Sequence, residues 1–469
     1  MRYILSERYY LCGWKKLPFA MMDRATKRSF FFDKRQFELL FKLSGKVDID
    51  VDGLENDLKG LLDELIENKL VREAEDGETR TLYYTEYKGI YKREVQWSIT
   101  GKCNYRCRHC FQSAPEGVLG EPPLEQCFDV IRQLDKCGIK RVSITGGEPL
   151  IRRDFFEIID ELLRHEMIVT TIYSNGRLIT QELLDELKKR NMRPGFQISF
   201  DGVGCHDWMR GVDGAEQIAL DAFRLLCDNG FGAGSAMCLC RENIGTIRET
   251  VKMLASVGCK GLKLQCAMPQ GEWQAQPEHY LTTAETMQAY LDYLPLFKED
   301  GCPLDIQMEG FFAYSKEQDN YFVVADKDVR EDALGRVPPC GVIHSAVYVG
   351  PNGAVTPCMS MCGAEIEKQF PNIFETPLED ILFESSYTEL TGKKVDYVLD
   401  HTEKCRTCEY RTRCCGGCRA MATGQSCGDY FAIDPVCCEM FTGGWIDKLY
   451  EVGDRLFSRA GQKPEVHDC

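Results

Sequence analysis

Twenty-five cysteines in a chain of 469 residues constrain this protein more than any other feature. The opening residues, Met1-Arg2-Tyr3-Ile4-Leu5-Ser6-Glu7-Arg8, are too charged for a signal peptide. No apolar run approaches the roughly 18 residues that a membrane helix needs. Both point to the cytoplasm, where thiols stay reduced. A disulfide framework suits small secreted domains, and an odd count leaves a thiol unpaired in any case. Metal ligation is therefore the expected use of many of these cysteines, and spacing decides which.

The rest of the composition is that of a folded, multi-part protein. With 44% hydrophobic and 28% charged residues, the chain can bury a substantial core. Its formal net charge of −16 argues against general binding to nucleic-acid backbone.

Periodicity divides the chain into five stretches. Residues 1–92 read as a strand near 28–32, helices over 34–43 and 51–70, and a strand near 69–73, an order like that of a winged helix. No basic recognition helix accompanies it. Residues 93–300 alternate short strands (95–100, 141–145, 168–173, 195–200, 232–238 and 261–266) with helices (124–137, 154–165, 181–190, 215–229 and 247–257). Such βα repetition predicts a parallel sheet, and six units predict a partial barrel short of the usual eight. Residues 301–339 form a connector of mixed character. Residues 340–440 hold short segments and 11 of the 25 cysteines, so metal is expected to hold this part together. Residues 441–469 contain one amphipathic helix, at 444–457, and a tail.

Gly101-Lys102-Cys103-Asn104-Tyr105-Arg106-Cys107-Arg108-His109-Cys110 follows the first barrel strand. Its C-x3-C-x2-C spacing puts three thiolates in one loop at the barrel's C-terminal mouth, where such folds keep their chemistry. Three thiolates match three corners of a [4Fe–4S] cube and leave one iron open. A zinc site, or three unrelated thiols, is the plain alternative. Gly146-Gly147-Glu148-Pro149 closes the second strand. There, paired glycines allow close backbone approach to a ligand, and Glu148 can accept hydrogen bonds from an amine.

These two motifs, in this order and on these elements, resemble the radical S-adenosylmethionine (SAM) superfamily over about residues 93–300. The resemblance implies that Cys103, Cys107 and Cys110 hold a [4Fe–4S] cluster whose open iron is chelated by the amino and carboxylate groups of SAM. It implies that Gly146, Gly147 and Glu148 help hold the methionine amine. It also implies that Ser174 and Asn175, in Tyr173-Ser174-Asn175-Gly176, meet the ribose or carboxylate. Gln197, Ser199 and Asp201 alternate onto one face at the end of the fourth strand. With Arg210 they complete the implied cofactor-binding set of Ser199, Asp201 and Arg210; a plain turn at Asp201 and a surface ion pair at Arg210 are the bland alternatives. Beyond the cluster, no catalytic side chain is assigned.

In the C-terminal region Cys340 is followed by twelve residues, Gly353, four residues and Cys358; Cys405-x2-Cys408-x5-Cys414-x3-Cys418 comes later, and Cys437 after 18 more. Spacing alone admits zinc or iron–sulfur. The combined pattern, with Gly416-Gly417-Cys418-Arg419-Ala420 and Asp434-Pro435-Val436-Cys437, resembles the SPASM (twitch-type) extension of radical SAM enzymes. That likeness implies two auxiliary iron–sulfur clusters, both of the [4Fe–4S] type. One takes Cys340, Cys358 and Cys418; the other takes Cys405, Cys408, Cys414 and Cys437. Two departures stand out. Residues 330–339 contain no cysteine where some members have a further ligand, so Cys362, Cys302, another thiol or an open iron completes the first cluster. Met359 replaces the carboxylate that follows the matching cysteine in sulfatase-modifying members. Cys415, Cys427 and Cys438 are spare, with Cys427 and Cys438 as rivals of Cys437. Cys127, Cys137, Cys227 and Cys259 are expected to pack as small hydrophobes, and so are Cys205, Cys238, Cys240 and Cys266 near the strand ends.

The overall expectation is an α/β protein: a partial (β/α)6 TIM-like barrel, an N-terminal winged-helix-like domain and a C-terminal cysteine-rich SPASM domain. Residues 1–92 resemble the PqqD-like recognition element of peptide-modifying (RiPP) maturases, with a structural cap as the plain alternative. The implied chemistry is reductive cleavage of SAM to a 5′-deoxyadenosyl radical that abstracts a hydrogen atom. Its implied use is oxidative crosslinking, through a thioether or carbon–carbon bond, of a ribosomally made peptide. A precursor peptide and a reductant such as flavodoxin or ferredoxin are the expected partners, with no nucleic acid and no membrane. Action on a small molecule of cofactor or tetrapyrrole biosynthesis is one alternative; a zinc-binding interaction protein is another.

Overall fold

The computed structural model describes residues 1–459. Two small sheets open the chain. Their strands are β1 (Arg2–Leu5), β2 (Tyr9–Trp14), β3 (Leu17–Asp23), β4 (Ser29–Phe31), β5 (Ser44–Asp48), β6 (Val71–Glu73) and β7 (Tyr84–Tyr87), with α1 (Lys34–Lys42) and α2 (Asn56–Glu67) between them. The first sheet runs β5-β1-β6 and the second β4-β3-β2-β7. Asp33 starts α1 in a reciprocal capping box with Gln36. Phe37, Leu40, Leu62 and Leu65 turn one face of each helix onto Tyr3, Leu5 and Leu11. The paired strands β2 and β3 lie before the point at which periodicity suggested structure, and α2 is shorter than the stretch 51–70. The unit docks on the barrel through Trp14, whose Nε1 donates to the Cys137 carbonyl at 2.9 Å. Arg141 returns a bond to the Thr26 carbonyl at 2.9 Å.

The barrel strands are β8 (Glu94–Ser98), β9 (Arg141–Thr145), β10 (Ile168–Ser174), β11 (Gly195–Ser199), β12 (Ala233–Leu239), β13 (Gly261–Cys266) and β14 (Asp305–Met308). Between them lie α3 (Leu124–Lys136), α4 (Phe155–Arg164), α5 (Gln181–Lys189), α6 (His206–Arg210), α7 (Ala215–Asp228), α8 (Ile247–Ser256) and α9 (Thr283–Glu299). The six anticipated strands and five anticipated helices fall within one or two residues of these bounds. Val142, Ile144, Phe196, Ile198, Leu262 and Leu264 bury one strand face under the helices. Alternate residues such as Gln197, Cys238 and Lys263 take the inner face.

The connector belongs to the same sheet. β14 pairs parallel to β13; β15 (Phe312–Ser315) and β16 (Asn320–Val323) then add antiparallel. At the other end, α10 (Gly341–Ser345) leads into β17 (Ala346–Val349), which lies parallel to β8 and pairs with β18 (Val355–Thr356). The result is one 12-stranded sheet ending in β19 (Ser458–Arg459) beside β16.

The cysteine-rich region then runs through α11 (Leu378–Ile381), α12 (Ser386–Thr391), α13 (Val395–Asp400), α14 (Glu403–Arg406), α15 (Arg411–Cys414), α16 (Arg419–Gln425) and α17 (Pro435–Thr442), followed by α18 (Trp445–Leu456). The expectation that metal has to hold residues 340–440 together needs correcting for much of this region. Ile366, Leu378, Ile381, Leu382 and Tyr387 are buried in the core that the barrel also builds. Only the part around Val395, Leu399 and Cys415 rests on a small satellite core.

Candidate active site

The first three cysteines converge after β8. Each thiol has its own N–H donor: Tyr105 N–H to Cys103 Sγ at 3.4 Å, Arg210 Nη1 to Cys107 Sγ at 3.6 Å, and Ala114 N–H to Cys110 Sγ at 3.3 Å. Burial pushes the Cys103 thiol up to about 12, with Cys107, Glu148 and Cys110 adding to the rise. Three thiols this close resist joint ionisation unless a cationic group joins them. The donor set therefore fits an iron–sulfur cluster, whose sulfurs accept such N–H bonds.

The Gly-Gly-Glu turn after β9 docks on this loop. Gly147 N–H donates to the Thr100 carbonyl at 2.8 Å, and Glu148 N–H to the Lys102 carbonyl at 2.9 Å. A Cβ on Gly147 would lie 2.2 Å from the Lys102 carbonyl oxygen; one on Gly146 would lie 2.8 Å from that of Thr100. What approaches the paired glycines in the structure is thus the cysteine loop itself.

Glu148 is fully buried. It accepts from Ser174 Oγ at 3.1 Å and from the N–H groups of Asn175 at 2.7 Å and Leu150 at 3.2 Å. Burial nevertheless pushes its carboxyl up to about 7. A buried carboxylate supplied with donors, and with no cation paired to it among the described residues, is chemically suited to an ammonium group. The Ser174 hydroxyl is engaged with Glu148. Asn175 Nδ2 donates to Asn104 Oδ1 at 2.7 Å and reaches within 4.0 Å of Cys103 Sγ. The ends of β9 and β10 and the cysteine loop thus meet at one point.

The end of β11 supplies the other side. Ser199 is half-buried. Asp201 is completely buried and pairs with Arg210, Nε to Oδ2, at 2.6 Å. Asp201 Oδ1 accepts the Cys238 N–H at 2.9 Å. His109 Nε2 lies 3.8 Å and His206 Nδ1 3.7 Å from Asp201 Oδ2. Donor atoms of His109, Asp201 and Cys238 all lie within 4.8 Å of one another. Arg210, however, already neutralises the carboxylate, which disfavours a cation there. Neither Arg210 nor Asp201 is a surface group or a plain turn. The clustering of His109 with them was not visible in sequence, because His109 and Asp201 are far apart in the chain.

The later cysteines gather in two groups. Cys340, Cys358 and Cys418 feel one another's charge, and Cys418 N–H donates to Asp434 Oδ2 at 2.7 Å. Cys405 faces Cys408, Cys414 and Cys438. The Sγ atoms of Cys414 and Cys437 lie 3.6 Å apart, and the thiol bond from Cys437 lowers Cys414 to about 7. Both Cys437 and Cys438 thus border the second group. The structure places Cys362 against Tyr348 and Glu367, and Cys302 beside Tyr314. Cys127, Cys137 and Cys259 are buried as small hydrophobes, but Cys227 is exposed, contrary to expectation.

Between the barrel mouth and α16–α17 lies a cavity of about 110 Å³, lined by Trp273, Tyr280, Glu309, Phe311, Met421 and Val436, among others. Glu309 was not anticipated: no motif surrounds it, and it enters the cavity because the chain turns with φ 50° just after β14. Burial pushes its carboxyl up to about 7. Lys263, on the inner face of β13, feels both Glu309 and Cys358.

The Radical SAM superfamily matches residues 97–254, and the SPASM iron–sulfur cluster-binding domain matches residues 340–409. An AdoMet-dependent heme synthase of Nitratidesulfovibrio vulgaris is 26% identical over 360 residues, 73% of this chain and 91% of that protein. The mycofactocin maturase MftC of Mycolicibacterium smegmatis is 30% identical over 203 residues, 43% of this chain and 51% of its own length. Streptococcus suis SuiB, solved bound to its precursor peptide SuiA, superposes with a TM-score of 0.63 at 15% identity, over 93% of this chain and 99% of SuiB. No described helix is long and apolar enough to cross a membrane. A SAM-binding [4Fe–4S] cluster, auxiliary iron–sulfur clusters and SAM are accordingly the cofactors of this fold. The chain carries a radical SAM domain over residues 97–254 and a C-terminal SPASM domain over residues 340–409.

Proposed function

We propose that this enzyme oxidatively crosslinks a ribosomally made peptide. In this reading Cys103, Cys107 and Cys110 hold the SAM-binding cluster, which with SAM supplies a 5′-deoxyadenosyl radical when bound. Cys340, Cys358 and Cys418 hold one auxiliary cluster. Cys405, Cys408, Cys414 and either Cys437 or Cys438 hold the other. Glu148, kept in place by Ser174 and Asn175, receives the methionine ammonium. The barrel's inner face orients the substrate, and the apolar walls around Trp273 and Phe311 keep water from the reacting carbon.

The observation that carries the peptide reading is the N-terminal unit. β6 pairs with β1 on one side, and among the described residues no strand covers its other edge. The opposite edge, β5, is partly covered, since Arg80 N–H donates to the Ser44 carbonyl at 2.8 Å. An open edge beside a helix is a place where an extended peptide can add as a strand. SuiB, solved with a precursor peptide, has a fold that extends over 93% of this chain, N-terminal unit included in that span. Anaerobic incubation of the full-length enzyme with SAM, a reductant and short peptides encoded beside its gene tests the reading. The expected product is a peptide lighter by two hydrogens.

A second reading, action on a tetrapyrrole, is favoured by the 26% identity to a heme synthase over most of that protein's length. Binding of an iron or metal-free porphyrin, with no binding of any such peptide, would select it.

A further inference from the structure

We propose that Asp201 and Arg210 set the reduction potential of the cluster held by Cys103, Cys107 and Cys110, Arg210 by donating to a cluster thiolate and Asp201 by moderating its charge. This rests on the assignment of Cys107 to that cluster. Arg210 is thereby a positioning residue with an electrostatic task that does not depend on SAM.

The geometry supports a fixed contact. Helix α6 ends at Gly211, whose φ of 64° brings it so close to the cysteine loop that a Cβ would lie 2.5 Å from the Arg106 carbonyl oxygen. Arg108 N–H donates to the Met209 carbonyl at 2.9 Å. The helix and loop are therefore clamped on both sides of Arg210, and its Nη1 lies 3.6 Å from Cys107 Sγ. Asp201 is equally constrained. Its Oδ1 takes the Cys238 N–H, its own N–H donates to His206 Nδ1 at 2.9 Å, and its carbonyl accepts Asn243 Nδ2 at 2.9 Å. His206 stacks on Phe200 with ring centroids 5.0 Å apart. Asp201 is 0% and Arg210 9% exposed, so neither charge is screened by water.

A cation donating to a ligand sulfur stabilises the more negative, reduced cluster and raises its potential. A carboxylate on the far side of the same guanidinium opposes that effect, and both act strongly where water is excluded. The two side chains are therefore expected to pull in opposite directions.

The test is potentiometric titration of the reconstituted, SAM-free, full-length enzyme. It follows the EPR signal that SAM addition perturbs, which separates this cluster from the auxiliary ones. Iron and sulfide are measured in every variant. Arg210→Gln is expected to lower the midpoint potential. Asp201→Asn, which leaves Arg210 in place, is expected to raise it. Arg210→Lys, which keeps the charge but loses the fork, is expected to fall between wild type and Arg210→Gln. Shifts of the same sign in Arg210→Gln and Asp201→Asn, or unchanged potentials with only weaker SAM binding, would overturn the proposal. Loss of the cluster from all three variants would make the pair an assembly element and would overturn it too. If the triple Ala variant at Cys103, Cys107 and Cys110 kept its full iron content, the cluster assignment would fail instead.

Discussion

The two cysteine-bearing regions use similar residues on very different supports. The loop of Cys103, Cys107 and Cys110 stands on a barrel whose strands and helices bury Val95, Ile144, Ile172 and Leu264 completely. Its thiols are each met by a preplaced N–H group. The stretch around Cys405 instead leans on Val395, Leu399 and Cys415, with Leu334 opposite, while Ala420, Tyr430, Met440 and Phe441 further on rejoin the barrel core. Helices α13 to α15 are 4 to 6 residues long, too short to be stable alone. In the barrel the fold makes the site; near Cys405, a cluster held as proposed above would help to make the fold. Between them, residues 346–391 are cysteine-poor and share the barrel core.

The largest expected effect comes from emptying the first site. The triple Ala variant at Cys103, Cys107 and Cys110 should lose SAM cleavage entirely and about four of about twelve irons. Its far-UV circular dichroism and melting temperature should change little. A large fall in melting temperature would mean that the barrel also depends on its cluster.

Cys405→Ala should retain some SAM cleavage but form no product. Limited proteolysis should then cut between residues 395 and 418 while leaving 346–391 intact. Cleavage spread evenly over 340–440 would erase the contrast drawn between those two parts.

Gly147→Ala should be next, since the added methyl meets a backbone carbonyl that a side-chain rotation cannot move. A destabilisation of about 1–3 kcal/mol is expected, together with slower cluster incorporation. Denaturant melts of the cluster-free protein isolate the packing part.

The smallest effect concerns Glu309. Its folded-state carboxyl is raised to about 7 from an ordinary 4.5. Between those values the native state keeps a proton that the unfolded chain has released. Its contribution is therefore most favourable below 4.5 and declines as pH rises towards about 7. Glu309→Gln should flatten that decline in urea melts across this window. An unchanged slope would show that Glu309 is already solvated in the cavity.

Much of the fold was legible because period is local. Alternation at Val142 and Ile144, and the 3.6-residue spacing of Leu184 and Leu187, need no knowledge of the rest of the chain. The meeting of Cys103, Cys107 and Cys110 in one loop was legible because they lie within eight residues of one another; that of Cys340 and Cys358 with Cys418 spans far longer separations and rests on the fold. The hairpin of β2 and β3 was missed because Tyr9-Tyr10-Leu11-Cys12-Gly13-Trp14 is apolar on both faces, so its alternation is hidden. The strand nature of residues 305–323 was obscured likewise, since each strand there has only 4 residues.

The sequence by itself determined the order of the six barrel strands from 94 to 266 and the helices between them, the three-cysteine loop after the first barrel strand, the turn at Gly146-Gly147-Glu148 and the C-terminal cysteine spacing. All of these are encoded in residues that lie close together in the chain. Only the tertiary structure decided that β17 joins the barrel sheet beside β8. It alone brought Arg210 to Cys107 across 103 positions, turned Ser174 towards Glu148 and set Glu309 between barrel and auxiliary domain. These are meetings of distant segments. They depend on how the whole core packs and on which buried charges find partners, and no local pattern records that.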